Sequence, residues 1–198
     1  TVASTISIAS KFGIKFFATG GIGGVHLNAE NTYDVSADLY SLSEHANFVI
    51  CSGAKSILDL DKTHELLETL GITRIGYKTN YMPGFWYSET HNIVDNNFED
   101  ISDISNFLKL NDKLNHNKSI LIFNKVPEVN AINKDKIKEW INNALVNAEK
   151  NKVSGKELTP FLIKEINNFS DNKTLVANIS LIINNANLAG KIAKNYYS

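Results

Sequence analysis

The 198 residues carry 43% apolar and 21% charged side chains, the mixture of a globular chain long enough to bury a core as one α/β domain, residues 1–198. A formal net charge of -1 supplies no field for a nucleic-acid backbone or an anionic membrane surface, and a single cysteine, Cys51, excludes a disulfide framework and a cysteine-built zinc site. Arg74 is the only arginine, so a bound phosphate would rest on lysine, hydroxyls and backbone N–H groups.

In chain order, Thr1–Lys11 has the small and apolar spacing of a helix, with Gly13 suited to end it. Ile14–Ala18 is β-branched and aromatic and reads as a buried strand. A glycine-rich turn and a polar segment, Asn28–Asp38, follow, then a short helix over Leu39–His45 and a strand over Phe48–Cys51. Asp61–Leu70 is an amphipathic helix stopped by Gly71, and Ile72–Tyr77 is a third strand. Tyr81–Tyr87 interrupts with a Pro-Gly turn and clustered aromatics, which could stack on a flat ligand or pack the loop onto the core. Asp100–Leu114 reads as a helix, Ser119–Phe123 as a strand and Asn133–Lys152 as a long helix. Thr159-Pro160 suits a helix start, hydroxyl at the N-cap and proline at N1, running to Phe169; Lys173–Tyr196 is the last helix. This alternation predicts an α/β/α fold, a largely parallel or mixed sheet with helices on both faces. No apolar run approaches the ~18 residues of a membrane span, and no signal segment is evident. The opening at Thr1, inside a packed helix, reads as the interior of a longer protein. A cytoplasmic or organellar location is expected rather than secretion.

Three motifs sit at strand ends, where ligands bind in open α/β sheets. They are Phe17-Ala18-Thr19-Gly20-Gly21-Ile22-Gly23-Gly24-Val25-His26, Asp34-Val35-Ser36-Ala37-Asp38-Leu39 and Cys51-Ser52-Gly53-Ala54-Lys55-Ser56-Ile57-Leu58-Asp59. Neither a dinucleotide fingerprint nor a Walker loop fits, because the glycines are out of register and Ala54 separates Gly53 from Lys55. Gly20, Gly21, Gly23 and Gly24 permit positive φ and could turn successive N–H groups toward an anion. The three motifs are expected to converge on a small phosphate-bearing ligand. His26 suits either a ligand contact or a core position. Asp38 suits a helix cap or a divalent cation held with waters. Lys55 suits phosphate neutralisation or, if desolvated, attack on a carbonyl carbon to give a Schiff base.

Together with Thr1-Val2-Ala3-Ser4-Thr5, Leu67-Glu68-Thr69-Leu70-Gly71, Gly155–Leu162, Ala177-Asn178-Ile179 and Asn184-Asn185-Ala186, these motifs strongly resemble the pseudouridine-5′-phosphate glycosidases, the indigoidine synthase A-like family, over essentially the whole chain. The resemblance implies reversible cleavage of the C–C glycosidic bond of pseudouridine 5′-phosphate to uracil and ribose 5-phosphate. Lys55 matches the Schiff-base lysine, and Asp38 resembles the ligand of a divalent cation, usually manganese (Mn2+). Thr19, His26, Ser36 and Asn178 resemble positions lining the substrate pocket, with the four glycines as backbone around the ligand. A homotrimer is implied, as is an amino-terminal portion ahead of Thr1 that supplies an acid/base glutamate and a phosphate-contacting lysine. This chain alone is therefore expected to be inactive. Leu27 stands where the family usually has arginine, and Asn124-Lys125-Val126-Pro127 replaces the usual Asn-Pro-Ile-Pro. These departures leave a non-catalytic sugar-phosphate-binding or oligomer-forming homologue as the alternative.

Overall fold

The computed structural model describes residues 1–198, the side chain of Lys156 excepted. Helix α1 (Val2–Lys11) leads into strand β1 (Phe16–Ala18), followed by β2 (Val25–His26), a single turn α2 (Ala29–Thr32), α3 (Ala37–Glu44) and β3 (Phe48–Cys51). Strand β4 (Leu58–Asp59) runs directly into α4 (Leu60–Thr69), then come β5 (Thr73–Tyr77), β6 (Asn96–Phe98) and α5 (Ile101–Lys113). Strand β7 (Ile120–Phe123) precedes α6 (Lys134–Lys150), α7 (Leu158–Phe169) and α8 (Lys173–Tyr197).

The main sheet has the order β1-β3-β7-β5-β6, with all pairings parallel; β2 and β4 form a small antiparallel pair beside it. Side chains alternate across a strand, and both sets are apolar here, so both faces must be covered. Phe48, Ile50, Ile120 and Ile122 pack with Ile104 and Leu108 of α5 and Leu188 and Ile192 of α8. Val49, Cys51, Leu121 and Phe123 join the opposite cluster, with Ile6 of α1, Leu39 of α3, Leu67 of α4 and Ile137 of α6. Each fully buried Leu or Ile contributes on the order of 1.5–3 kcal/mol by leaving water, which is what fixes the three-layer arrangement.

The α/β/α expectation holds, as do the four apolar strands, except that β1 covers only Phe16–Ala18 and is half-buried rather than buried, because it lies at an edge of the sheet, with Ile14 exposed before it. Gly13 and Gly71 sit just past their helices at φ +67° and +66°, where they were expected. Three further details differ. The edge strand β6 was not anticipated: Asn96-Asn97-Phe98 has no apolar pattern because an exposed edge imposes none. The two-residue strands β2 and β4 arise from loop pairing, below the length that periodicity can reveal. Helix α7 begins at Leu158, continuing a 3₁₀ turn over Gly155–Glu157, so Thr159 and Pro160 lie inside the first turn and the N-cap residue, Glu157, makes no side-chain cap hydrogen bond. Proline is still tolerated there, because the first N–H groups of a helix have no intrahelical partner. Among the described residues no helix is long and apolar enough to cross a membrane.

Candidate active site

Strands β1 and β3 keep pairing after their side chains stop alternating. Thr19 N–H donates to Ile50 O at 2.9 Å, Ser52 N–H to Gly20 O at 2.9 Å, Ile22 N–H to Gly53 O at 3.1 Å, and Lys55 N–H to Ile22 O at 3.1 Å. The glycine-rich loop and the lysine loop are thereby one ledge at the carboxyl edge of the sheet. Gly53 cannot be replaced in it: its φ is +87°, and a Cβ would lie 2.0 Å from Pro83 O. Lys55 stands on this ledge, half-buried, and among the described residues no carboxylate pairs with its amine.

The four glycines take a different part from the one expected. None has positive φ. A Cβ on Gly20 would meet Leu181 at 2.9 Å, on Gly21 the Phe85 ring at 2.7 Å, on Gly23 Ser36 Oγ at 2.2 Å, and on Gly24 Thr63 Oγ1 at 2.4 Å. Close packing of protein against the loop is thus what requires glycine. The N–H groups of Ile22, Gly23 and Val25 already donate to Gly53 O, Asp38 Oδ2 and Thr63 Oγ1. Those of Gly20, Gly21 and Gly24 find no protein acceptor among the described residues, and only these remain for a ligand.

Asp38 is buried at the start of α3. Its Oδ2 accepts from Gly23 N–H at 2.8 Å and its Oδ1 from Ala3 N–H at 2.9 Å, so it joins the loop to the first turn of α1. The helix cap is Ser36, whose Oγ accepts from Asp38 N–H at 3.2 Å. The neighbouring carboxylate of Asp34 is 43% exposed, with one oxygen 3.7 Å from Nδ1 of His26. His26 is half-buried on β2, opposite Leu58 of β4.

Thr19 lies at the end of β1, with its hydroxyl 3.5 Å from Gly21 O. Thr19, His26, Ser36, Asp38 and Lys55 therefore share the ledge and its flank. Among the described residues no hydrogen bond joins Asn178 to them; its Oδ1 accepts from Trp86 Nε1 at 2.7 Å, and Trp86 adjoins Phe85, the ring over Gly21. The aromatic loop is core packing: Met82, Phe85 and Trp86 are all buried. Cys51, just before the ledge, is wholly buried, and burial pushes its thiol up to about 12. It is no nucleophile.

A residue quoted only for its motif proves central. Asn185 of α8 is fully buried; its Nδ2 donates to Thr19 O at 2.8 Å and lies 3.1 Å from Ser52 Oγ, while its Oδ1 accepts from Asn124 Nδ2 at 3.1 Å. The available signal is an amide at position 185 of the buried stripe Leu181, Leu188 and Ile192. A polar group on an apolar stripe has to be hydrogen-bonded.

The family profile described as "Indigoidine synthase A like protein" matches residues 1–195. The pseudouridine-5′-phosphate glycosidase of Brachyspira hyodysenteriae is 43% identical over 196 residues, covering 99% of this chain and 64% of that protein. The glycosidase of Staphylococcus aureus is 46% identical over 193 residues, covering 98% of this chain and 63% of that one. Among solved structures, the prealnumycin C-glycosynthase AlnA in complex with ribulose 5-phosphate superposes with a TM-score of 0.93 at 32% identity, over 99% of this chain and 65% of AlnA. An indigoidine synthase A-like protein of Thermotoga maritima gives 0.88 at 35% identity, over 98% and 63%. The chain thus spans a little under two thirds of the length of these relatives. It belongs to the indigoidine synthase A-like family.

Proposed function

We propose that the protein containing this chain is a pseudouridine-5′-phosphate glycosidase, splitting its substrate reversibly with water into uracil and ribose 5-phosphate. The observation that carries this reading is Lys55, a half-buried amine without a carboxylate partner on the ledge built by β1 and β3. The relatives named above and the sugar phosphate bound by AlnA support the substrate class.

A C–C glycosidic bond has no nitrogen leaving group, so opening the sugar is the accessible route. Attack of the Lys55 amine on C1′ forms C1′–N and breaks C1′–O4′, with a proton delivered to O4′. The nitrogen lone pair then expels the uracil carbanion as C1′–C5 breaks, C5 takes a proton, and an imine remains on Lys55. Water adds to that imine, restores the amine and releases ribose 5-phosphate. Two of these steps need a proton donor. The acid/base glutamate implied by the family resemblance belongs to length this chain does not span, so residues 1–198 by themselves are proposed to be inactive. A homotrimer rests on the same resemblance. Thr19, Ser36 and the N–H groups of Gly20, Gly21 and Gly24 would hold the sugar phosphate, with Asn178 entering through the free end of its amide.

Among the described residues no group of three or more His, Cys, Asp or Glu could hold a metal. The donor set fits a hard cation such as Mn2+ bound by one carboxylate and completed by waters. Asp38, indicated by the resemblance, has one lone pair on each oxygen committed to backbone N–H groups and is 7% exposed. Asp34, more open and beside His26, suits a water-rich ion better. Such an ion would supply positive charge for the phosphate where arginine is lacking.

Borohydride reduction of the full-length protein with ribose 5-phosphate should leave a sugar adduct on Lys55, read by mass spectrometry. An adduct that persists in Lys55→Ala, or none in the full-length protein, would sink the lysine mechanism. The second reading, a non-catalytic homologue, draws on Leu27, 40% exposed where arginine is usual, and on Lys125, paired with Glu89 at 3.2 Å. Stabilisation by ribose 5-phosphate without uracil release would favour it.

A further inference from the structure

We infer that Asn185 is a positioning residue for Lys55, the single amide through which α8 sets the ends of three adjacent strands relative to one another. The inference rests on the function proposed above and goes beyond it, because Asn185 touches no reacting atom.

The three ends are Thr19-Gly20 after β1, Ser52 after β3 and Asn124 after β7, and these strands are neighbours in the sheet. Asn185 Nδ2 donates to Thr19 O at 2.8 Å, approaches Gly20 O at 3.4 Å and lies 3.1 Å from Ser52 Oγ. Its Oδ1 accepts from Asn124 Nδ2 at 3.1 Å, and Ser52 Oγ lies 3.4 Å from the same oxygen. The orientation of the amide follows from chemistry. Carbonyl oxygens only accept, so the nitrogen must face Thr19; the oxygen then faces Asn124, whose own nitrogen must donate. No other neutral side chain of this size offers donors on one side and an acceptor on the other.

What the clamp fixes is the start of the ledge. Gly20 O, one of its carbonyls, also receives Ser52 N–H, and from there the pairing passes through Ile22 and Gly53 to Lys55 N–H. Asn124 N–H donates to Cys51 O at 2.9 Å, which ties the third strand end into the same network. The centre of the network is buried, with Asn185 and Ser52 0% exposed and Asn124 7%, while Thr19, Gly20 and Lys55 at its outer end are half-buried. A displacement at this amide therefore passes to the lysine backbone through four direct protein hydrogen bonds. Misplacing a nucleophile by about 1 Å can cost ~10²-fold in rate.

The test uses full-length protein, ribose 5-phosphate as probe, and four variants. Asn185→Asp keeps the shape but removes the donors facing Thr19 and Gly20. Ser52→Ala removes one hydroxyl and leaves the rest of the network in place. Leu188→Ala, on the same buried stripe of α8 but inside the apolar cluster, is the packing control, and Asn185→Gln asks whether the amide can be restored from a longer arm. The expected result is a borohydride-trapping rate at saturating ribose 5-phosphate lowered ~10-fold or more in Asn185→Asp and ~2–5-fold in Ser52→Ala, with the half-saturating concentration changed less than ~3-fold. Leu188→Ala should lose more thermal stability than Ser52→Ala yet trap at the wild-type rate. Trapping at the wild-type rate in Asn185→Asp and Ser52→Ala, or a loss in Leu188→Ala that follows its stability, overturns the inference. Wild-type protein that traps no sugar means the proposed activity has failed. Amide exchange then decides the positioning claim by itself. Faster exchange at Lys55 N–H in Ser52→Ala than in Leu188→Ala upholds it, and equal exchange overturns it.

Discussion

Asp38 holds the N–H of Gly23 at 2.8 Å with one carboxylate oxygen while the other holds Ala3 of α1, so one buried side chain binds a loop to a helix start. An asparagine can present only one acceptor and would turn a donor toward the second N–H. Asp38→Asn should therefore lose about 1–3 kcal/mol, the cost of a buried unsatisfied pair. Asp34→Asn, at an exposed carboxylate, should stay within about 0.5 kcal/mol. Urea unfolding of both variants checks the contrast, and Mn2+ titration of both assigns the cation. Equal stabilities would contradict the clasp.

Glycine substitutions should separate into opposite signs. Gly53→Ala combines a φ of +87° with a Cβ 2.0 Å from a carbonyl oxygen, and a loss of at least ~2 kcal/mol is expected. Gly190 lies within α8 with nothing within 4 Å of its added Cβ, so Gly190→Ala should gain about 0.5–1 kcal/mol. Thermal melts of the pair provide the measurement. A tolerated Gly53→Ala would mean that the ledge is not built as described.

Cys51 should be silent to a thiol reagent at pH 8 in the folded protein, since burial holds its thiol near 12 and no part of it is exposed. Denaturant should release one equivalent. Rapid labelling without denaturant would place this strand at the surface.

The pH dependence of stability has an identifiable contributor. Burial, and then the charge of Arg74, lower the pKa of His64 below its usual value. The unfolded chain consequently binds a proton more readily, so this contribution is present above the unfolded-state value near 6.5 and is lost as pH falls through it toward the folded value. His64→Gln should flatten the decline in stability between pH 7 and pH 5.5, measured by urea unfolding. An unchanged slope would assign the decline to other groups.

The elements that could be read from sequence are those whose burial imposes a pattern. Val49 and Ile50 face opposite sides of the sheet and both must be apolar, and Leu67 marks the inward stripe of α4. Strand β6 escapes because it is an edge strand on which Asn96 and Asn97 are exposed. The site was legible at Lys55 and Thr19, whose strand-end positions follow from the motifs. The four glycines were legible as a tight feature but not as a packed one, since their neighbours Leu181, Phe85, Ser36 and Thr63 come from four separate parts of the chain. Asn185 was hidden for a related reason: its partners lie 61 to 166 residues away, and only the interruption of an apolar stripe hints at them.

The pairing of Ile22 with Gly53 and of Lys55 with Ile22 has an entropic consequence for ligand binding. The lysine loop gives up its freedom when the sheet forms, not when a sugar arrives. A ligand therefore meets a rigid shelf, and ordering of this segment takes nothing from its affinity. The hydrogen-bonded amides of Ile22, Ser52 and Lys55 should exchange as slowly as those of β3 itself, whether or not a sugar phosphate is bound.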